Sequence, residues 1–483
     1  CKIDFSFDCI IFVKRPLARF LFNLNYNAMK QLRLFLLLAA GLFLTSCSEP
    51  QPDEFPNPDP PPTVGRHAVP IDQALGELHD LLGVIDGQGT RAGGVRTIAQ
   101  VQTLHAQALA LTRSASEPGE QPEELLYVVN FEDDAGYAVL GADDRLPGVL
   151  AVTDEGSLTT EELVRAANGQ TTPEEFTFPN EMLMNYVSGI GGIGGGGIGG
   201  GGIGGGGIPT GPFTDFDTQL GNPPAGFEGY EWSDWKNLEY VAPMVTTRWH
   251  QEDPFNRHCP VIGGETCVAG CAAIAMAQIV ASNHLHHNVS PGRIGNISLN
   301  WTLIRQGIID PDLLNRNSSI ANQVALLVAA LGLKLGMNYG VTQSGASIDD
   351  AEYCFKYIGY KGVNNHTFRP SYVRTMLWER QRPTYVRAVN AQKEGHAWVA
   401  DGWLYRRRDQ YAVIFGKRSD YSVSNQTQTL MHCNFGWGGR CDGFYHIGLF
   451  NTNEQAVIPD IDYTPVDDDY NGGKRMITYT EMY

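Results

Sequence analysis

The chain has 483 residues, more than one ordinary domain uses, and the length suggests two or three domains. Hydrophobic residues make up 42% and charged residues 18%, the balance of a globular protein with ample material for a core. A formal net charge of -18 argues against a nucleic-acid partner, which needs a basic face, and fits a protein kept soluble by charge. Nine cysteines are too few for a disulfide scaffold of this length.

The chain opens on Cys1, and Met29 is the natural start; residues 1–28 then read as an upstream translation artefact. Lys30 and Arg33 precede an apolar run from Leu34 to Leu44, too short to span a bilayer. Leu44-Thr45-Ser46-Cys47 resembles a bacterial lipobox, so 29–47 is expected to be a lipoprotein signal ending at Cys47, the lipidation site. This places the protein outside the cytoplasm, as an outer-membrane or cell-surface lipoprotein of a Gram-negative bacterium, with a membrane partner through its lipid anchor. Ser48 and the acids after it point to the same sorting. Residues 48–66, rich in proline and acid, form a tether.

From His67 the pattern becomes globular. Ile71, Ala74, Leu75, Leu78, Leu81 and Leu82 recur at helical spacing. Strand-like runs follow at Leu125–Phe131, Tyr137–Leu140 and Val149–Val152, the first two joined by an Asp-Asp-Ala-Gly loop. Residues 67–165 thus read as a small α+β domain with no chemistry of its own. The Ile-Gly-Gly-Gly-Gly repeats within 189–208 make 166–235 a linker, because a glycine tract loses too much entropy on ordering. The largest domain is 236–483. Helices are expected at Cys271–Ser282, Ile320–Leu331 and Ile348–Tyr357. Strands are expected at Thr384–Val389, Ala397–Trp403, Gln410–Phe415, Leu430–Asn434 and Gly443–Leu449. Helices first and strands afterwards give an α+β layout.

Two stretches of this domain carry chemistry. Cys271 follows a small-residue turn and heads an Ala-rich helical run, where helix N-terminal N–H groups favour a thiolate. His396 opens an apolar strand in Gly395-His396-Ala397-Trp398-Val399, a setting for a fixed imidazole base. Gln251, in Gln251-Glu252-Asp253-Pro254-Phe255-Asn256, offers an amide N–H to an oxyanion. Asn434 and Trp437, in Cys433-Asn434-Phe435-Gly436-Trp437-Gly438-Gly439, are candidates to orient the base. The loop carrying Met337, Tyr339, Ser344 and Gly345 is the candidate substrate cleft.

These ordered blocks resemble the streptopain family of papain-like cysteine peptidases, and residues 126–155 resemble that family's inhibitory propeptide. The resemblance implies a papain-like α+β peptidase domain preceded by a small α+β propeptide domain. It implies an endopeptidase made as a zymogen, with Cys271 as nucleophile, His396 as base and Gln251 in the oxyanion hole. Its partners would be protein or peptide substrates and its own propeptide as intramolecular inhibitor, with maturation within 166–235. No cofactor and no metal are expected. Phe435 stands where the family has tryptophan, and Glu394 precedes Gly395, where an acid raises a neighbouring imidazole pKa. Cys259 with Cys267, and Cys433 with Cys441, flank turns and are candidate local disulfides. His284, His286 and His287 read as helix-end cations rather than metal ligands. The rival readings are an inactive papain-like surface binding protein and a cell-wall peptide amidase.

Overall fold

The computed structural model describes residues 68–87, 95–109, 124–168, 179–184, 186–187, 226–389, 395–450 and 473–482. The signal, Cys47, the tether, the glycine tract and Glu394 lie outside the described residues. Among those described, no helix is long and apolar enough to cross a membrane.

The helical spacing after His67 becomes α1 (Ile71–Ile85), whose Ala74, Leu78, Leu81, Leu82 and Ile85 form one buried stripe. The stripe packs on the antiparallel strands β2 (Glu124–Phe131), β3 (Tyr137–Gly141) and β4 (Val149–Thr153), with β1 (Ile98–His105) outside β2. Helix α2 (Thr160–Ala167) starts at a capping box, in which Thr159 and Glu162 exchange side-chain and main-chain hydrogen bonds.

Strands β5 (Phe227–Trp232) and β6 (Lys236–Val241) lead into the C-terminal region. Its central element is α3 (Cys271–His287), in which every residue from Ala272 to His284 is buried. A helix apolar on all sides belongs in a core, and α3 is packed by α4 (Trp301–Ile309) and α5 (Ser318–Lys334). Helix α6 (Ile348–Tyr357) is set by a second capping box, Ser347 with Asp350.

The strands β7 (Asn364–Thr367), β8 (Thr384–Val389), β9 (Gly395–Ile414), β10 (Ser424–Asn434), β11 (Gly443–His446) and β12 (Arg475–Thr478) form one antiparallel sheet. Alternation along β9 divides the layers: Ala397 and Val399 face α3, while Trp398 and Ala400 join a core with Phe435, Tyr445 and Phe450 on the other face.

Two expectations change. The runs at 397–403 and 410–415 are one twenty-residue strand, through the charged segment Tyr405–Asp409. The arginines there do not break the strand: Arg406 is fully buried, bonds Gln428 at 2.7 Å and stacks on Trp235 at 4.5 Å. The N-terminal and C-terminal sheets are also not separate. Strand β4 pairs with β11, Gly443 opposite Thr153 and Tyr445 opposite Ala151, so the sheet runs β1-β2-β3-β4-β11-β10-β9-β8-β12-β7. Gly443 permits this approach, because a Cβ there would collide with the Val152 carbonyl.

Candidate active site

Cys271 is the first residue of α3 and is half-buried against the helical core. Gly270 before it has φ +86°, which favours glycine, and a Cβ there would meet the Met337 side chain and the Ser344 carbonyl at 3.0 Å. The incoming segment is held from both flanks. On one side the Gln251 carbonyl accepts the Ala269 N–H at 2.8 Å, and the Asn256 amide donates to the Cys267 carbonyl at 3.1 Å. On the other the Val268 N–H donates to the Gly340 carbonyl at 3.1 Å, and the Ser344 hydroxyl donates to the Val268 carbonyl at 2.7 Å. The Gln251 block and the 337–345 loop are thus brought to either side of the cysteine. Within that loop Asn338 and Gly345 exchange main-chain hydrogen bonds at 2.9 and 3.1 Å. Tyr339 turns its hydroxyl to Cys259.

His396 is the second residue of β9, the strand on which α3 packs, and is 9% exposed. Its Nε2 lies 3.0 Å from the Phe435 carbonyl. A carbonyl only accepts, so Nε2 carries the proton and Nδ1 keeps the lone pair. Trp437 stacks on the ring at 4.3 Å and 23°. Burial pulls the imidazole down to about 4, against the Phe435 hydrogen bond, so the ring is neutral at pH 7. The acid expected to raise it, Glu394, lies outside the described residues.

Asn434 does not reach the imidazole. Its Oδ1 accepts from Gln278 Nε2 at 2.8 Å and from the Gly436 N–H at 3.1 Å, while its Nδ2 donates to the Thr247 carbonyl at 2.9 Å. The acceptor on His396 is main chain, which residue identity could not reveal. Phe435 itself stacks on Trp437 at 5.5 Å and 16°. Gln278, overlooked in the sequence, ties α3 to β10: its Oε1 also accepts the Thr247 hydroxyl at 2.8 Å. It lies seven residues after Cys271, hence on the same helix face, and is the lone polar residue from Ala272 to Val280.

Neither proposed disulfide forms. Cys259, Cys267, Cys433 and Cys441 are all buried and form no disulfide among the described residues. Burial raises the Cys259 thiol to about 11 and the Cys433 thiol well above its ordinary value, so these are inert core residues. The three histidines ending α3 bond separately: His284 to Ser290, His286 to the Met244 carbonyl and His287 to the Gln381 carbonyl.

The N-terminal region reaches this site through the turn after β4. Asp154 lies 3.1 Å from His432 Nε2, whose Nδ1 lies 2.7 Å from Asp401. Burial lowers the His432 imidazole, but the two carboxylates more than reverse this and hold it at about 10. Glu155 pairs with Arg248, just before Trp249 and Gln251.

A helix-initial cysteine, on the helix that packs against the strand carrying the histidine, is an arrangement open to thiol chemistry. Residues 249–445 match the sequence model of the Peptidase C10 family. It is 24% identical over 243 residues to streptopain of Streptococcus pyogenes, covering 42% of this chain and 54% of that one. The chain spans about half the length of the curated relatives it matches. Among solved structures it is similar to Prevotella intermedia prointerpain A, with 19% identity, TM-score 0.42, and coverage of 78% of this chain and 98% of that one. It is also similar to the active interpain A cysteine protease of the same organism, with 21% identity, TM-score 0.35, and coverage of 50% and 95%.

Proposed function

We propose that this chain is a cysteine endopeptidase made as a zymogen and exported as a lipoprotein. The observation that carries the activity is the imidazole of His396, neutral, with Nε2 anchored on a carbonyl, on the strand packed by the helix that Cys271 heads. In this reading Nδ1 takes the proton of the Cys271 thiol as Sγ attacks the scissile carbonyl. The tetrahedral oxyanion is met by the Gln251 side-chain amide and the Cys271 main-chain N–H. The imidazolium then protonates the leaving amine, the C–N bond breaks, and a thioester remains. Water, deprotonated by the same ring, releases the acid and restores the thiol. Trp437 keeps the ring in plane, and the loop with Met337, Tyr339, Ser344 and Gly345 forms one wall of the cleft.

Residues 67–165 act as the intramolecular inhibitor, and cleavage within 166–235 releases the 236–483 peptidase. The shared sheet edge and the Asp154 and Glu155 contacts support this docking. Lipidation at Cys47 anchors the precursor to the outer membrane or cell surface, and the substrates are proteins or peptides.

The test is purified protein from residue 48 onward, wild type and Cys271→Ser, held at neutral pH with reductant. Wild type should shorten to the C-terminal domain and cleave casein, and the variant should do neither. If wild type trimmed by an added protease neither cleaves casein nor reacts with a thiol-directed epoxide, the peptidase reading fails and a surface binding role replaces it.

A further inference from the structure

Asp442 is the lone acid in the stretch from Asn434 to His446 and lies just before β11, 1% exposed. Its Oδ1 accepts the Phe435 N–H at 2.8 Å, and the Phe435 carbonyl accepts from His396 Nε2. Its main-chain carbonyl accepts the Asp154 N–H at 2.8 Å, at the seam with the N-terminal region. Its Oδ2 is buried without a hydrogen-bond partner among the described residues. A buried carboxyl is costly to keep there unless it holds something in place. What it holds is a turn with little stiffness of its own: Gly436, Gly438 and Gly439 all have positive φ.

We propose that Asp442 is a positioning residue for His396: its carboxyl clamps Phe435, so that the Phe435 carbonyl keeps the imidazole in the Nε2–H tautomer with Nδ1 toward the nucleophile. This rests on the peptidase reading above. The charged groups around Asp442 are His432 on β10, Asp401 on β9 and Asp154 after β4. Burial raises the Asp442 carboxyl to about 7; His432 and the Phe435 N–H oppose the rise, and Asp154 and Asp401 add to it. Undocking of β4 removes the Asp154 charge and admits water. Asp442 then ionises and accepts the Phe435 N–H more strongly. The same carboxyl therefore links docking of the N-terminal region to alignment of the base.

The experiment compares full-length wild type, Asp442→Ala and Asp442→Asn. The pH profile of Cys271 alkylation by iodoacetamide is followed by mass spectrometry, with melting curves and, after processing, kcat and KM on a peptide. Asp442→Ala should alkylate about tenfold more slowly, and kcat should fall while KM holds, as expected for loss of a hydrogen bond to a charged group. Asp442→Asn keeps an acceptor for the Phe435 N–H; it should recover most of the rate but lose the inflection near neutral pH. If Asp442→Ala fails to fold, the lost inflection in Asp442→Asn decides. Profiles that superimpose on wild type, or rates that fall only with the folded fraction, overturn the positioning role alone. A processed wild type whose Cys271 is not alkylated at any pH overturns the peptidase reading and this role together.

Discussion

Replacing Asp154 by Asn should loosen the N-terminal region from the rest of the fold. Asp154 Oδ2 lies 3.1 Å from His432 Nε2, with the histidine side chain 2% and the aspartate 22% exposed. His432 keeps Asp401 at 2.7 Å, so it stays cationic in the variant. What is lost is one charge-assisted hydrogen bond at a mostly buried site, worth about 1–3 kcal/mol. That shifts the opening of the seam by roughly 5- to 150-fold. The contact is made only when β4 sits on β11, so the loss falls on the docked state. Hydrogen exchange of the full chain, made with Cys271→Ala to prevent self-processing, reads this directly. Exchange should accelerate in the peptides covering β4 and β11 and stay unchanged in α3 and α5. Processing of the Asp154→Asn chain with Cys271 intact should be faster. Unchanged exchange at β4 and β11, or acceleration spread evenly over the chain, would refute the idea that this carboxylate secures the seam.

Gly270→Ala forces a side chain to φ +86° and against Met337 and Ser344, costing about 1–3 kcal/mol in backbone strain. The displaced nucleophile should reduce peptide turnover about a hundredfold with the circular dichroism spectrum retained. Gln278→Leu leaves the Thr247 hydroxyl and the Trp249 N–H without their acceptor; denaturant titration should show a loss of about 2–5 kcal/mol, with activity falling at temperatures where the variant is still folded. His446 is held at about 4 by burial, against about 6.5 when unfolded. The unfolded chain therefore binds the extra proton between these values. The stability tied to His446 is full above about pH 6.5 and falls by about 3 kcal/mol as pH drops to 4. His446→Asn, which keeps an acceptor for the Gly448 N–H, should flatten that part of the acid limb in stability measured against pH, and His396 should supply a similar part in both proteins.

The residues legible in the sequence share a property: their local pattern alone demands their structure. Cys271 heads an Ala-rich run that has no amphipathic face, and such a run can only be a buried helix whose N-terminus is exposed to a site. The strand alternation at 395–400 puts His396 on the face of Trp398 and Ala400, where Trp437 stacks on it. The illegible parts depend on partners distant in the chain. Arg406 reads as solvent-facing until Trp235 and Gln428 cover it. Asn434 reads as the base's partner because its side chain is the obvious acceptor, yet Gln278 and Thr247 claim it, and the carbonyl of the next residue takes the imidazole. This exchange has a consequence for Phe435, the residue that departs from the family pattern. Its contribution to the base is a main-chain oxygen, which any residue type supplies, and its ring still stacks on Trp437. The substitution therefore leaves the imidazole's hydrogen bond intact, and it gives no reason to read this domain as inactive. By contrast, the positioning role proposed for Asp442 needs a side-chain acceptor at that position, because the acceptor is what holds the Phe435 N–H.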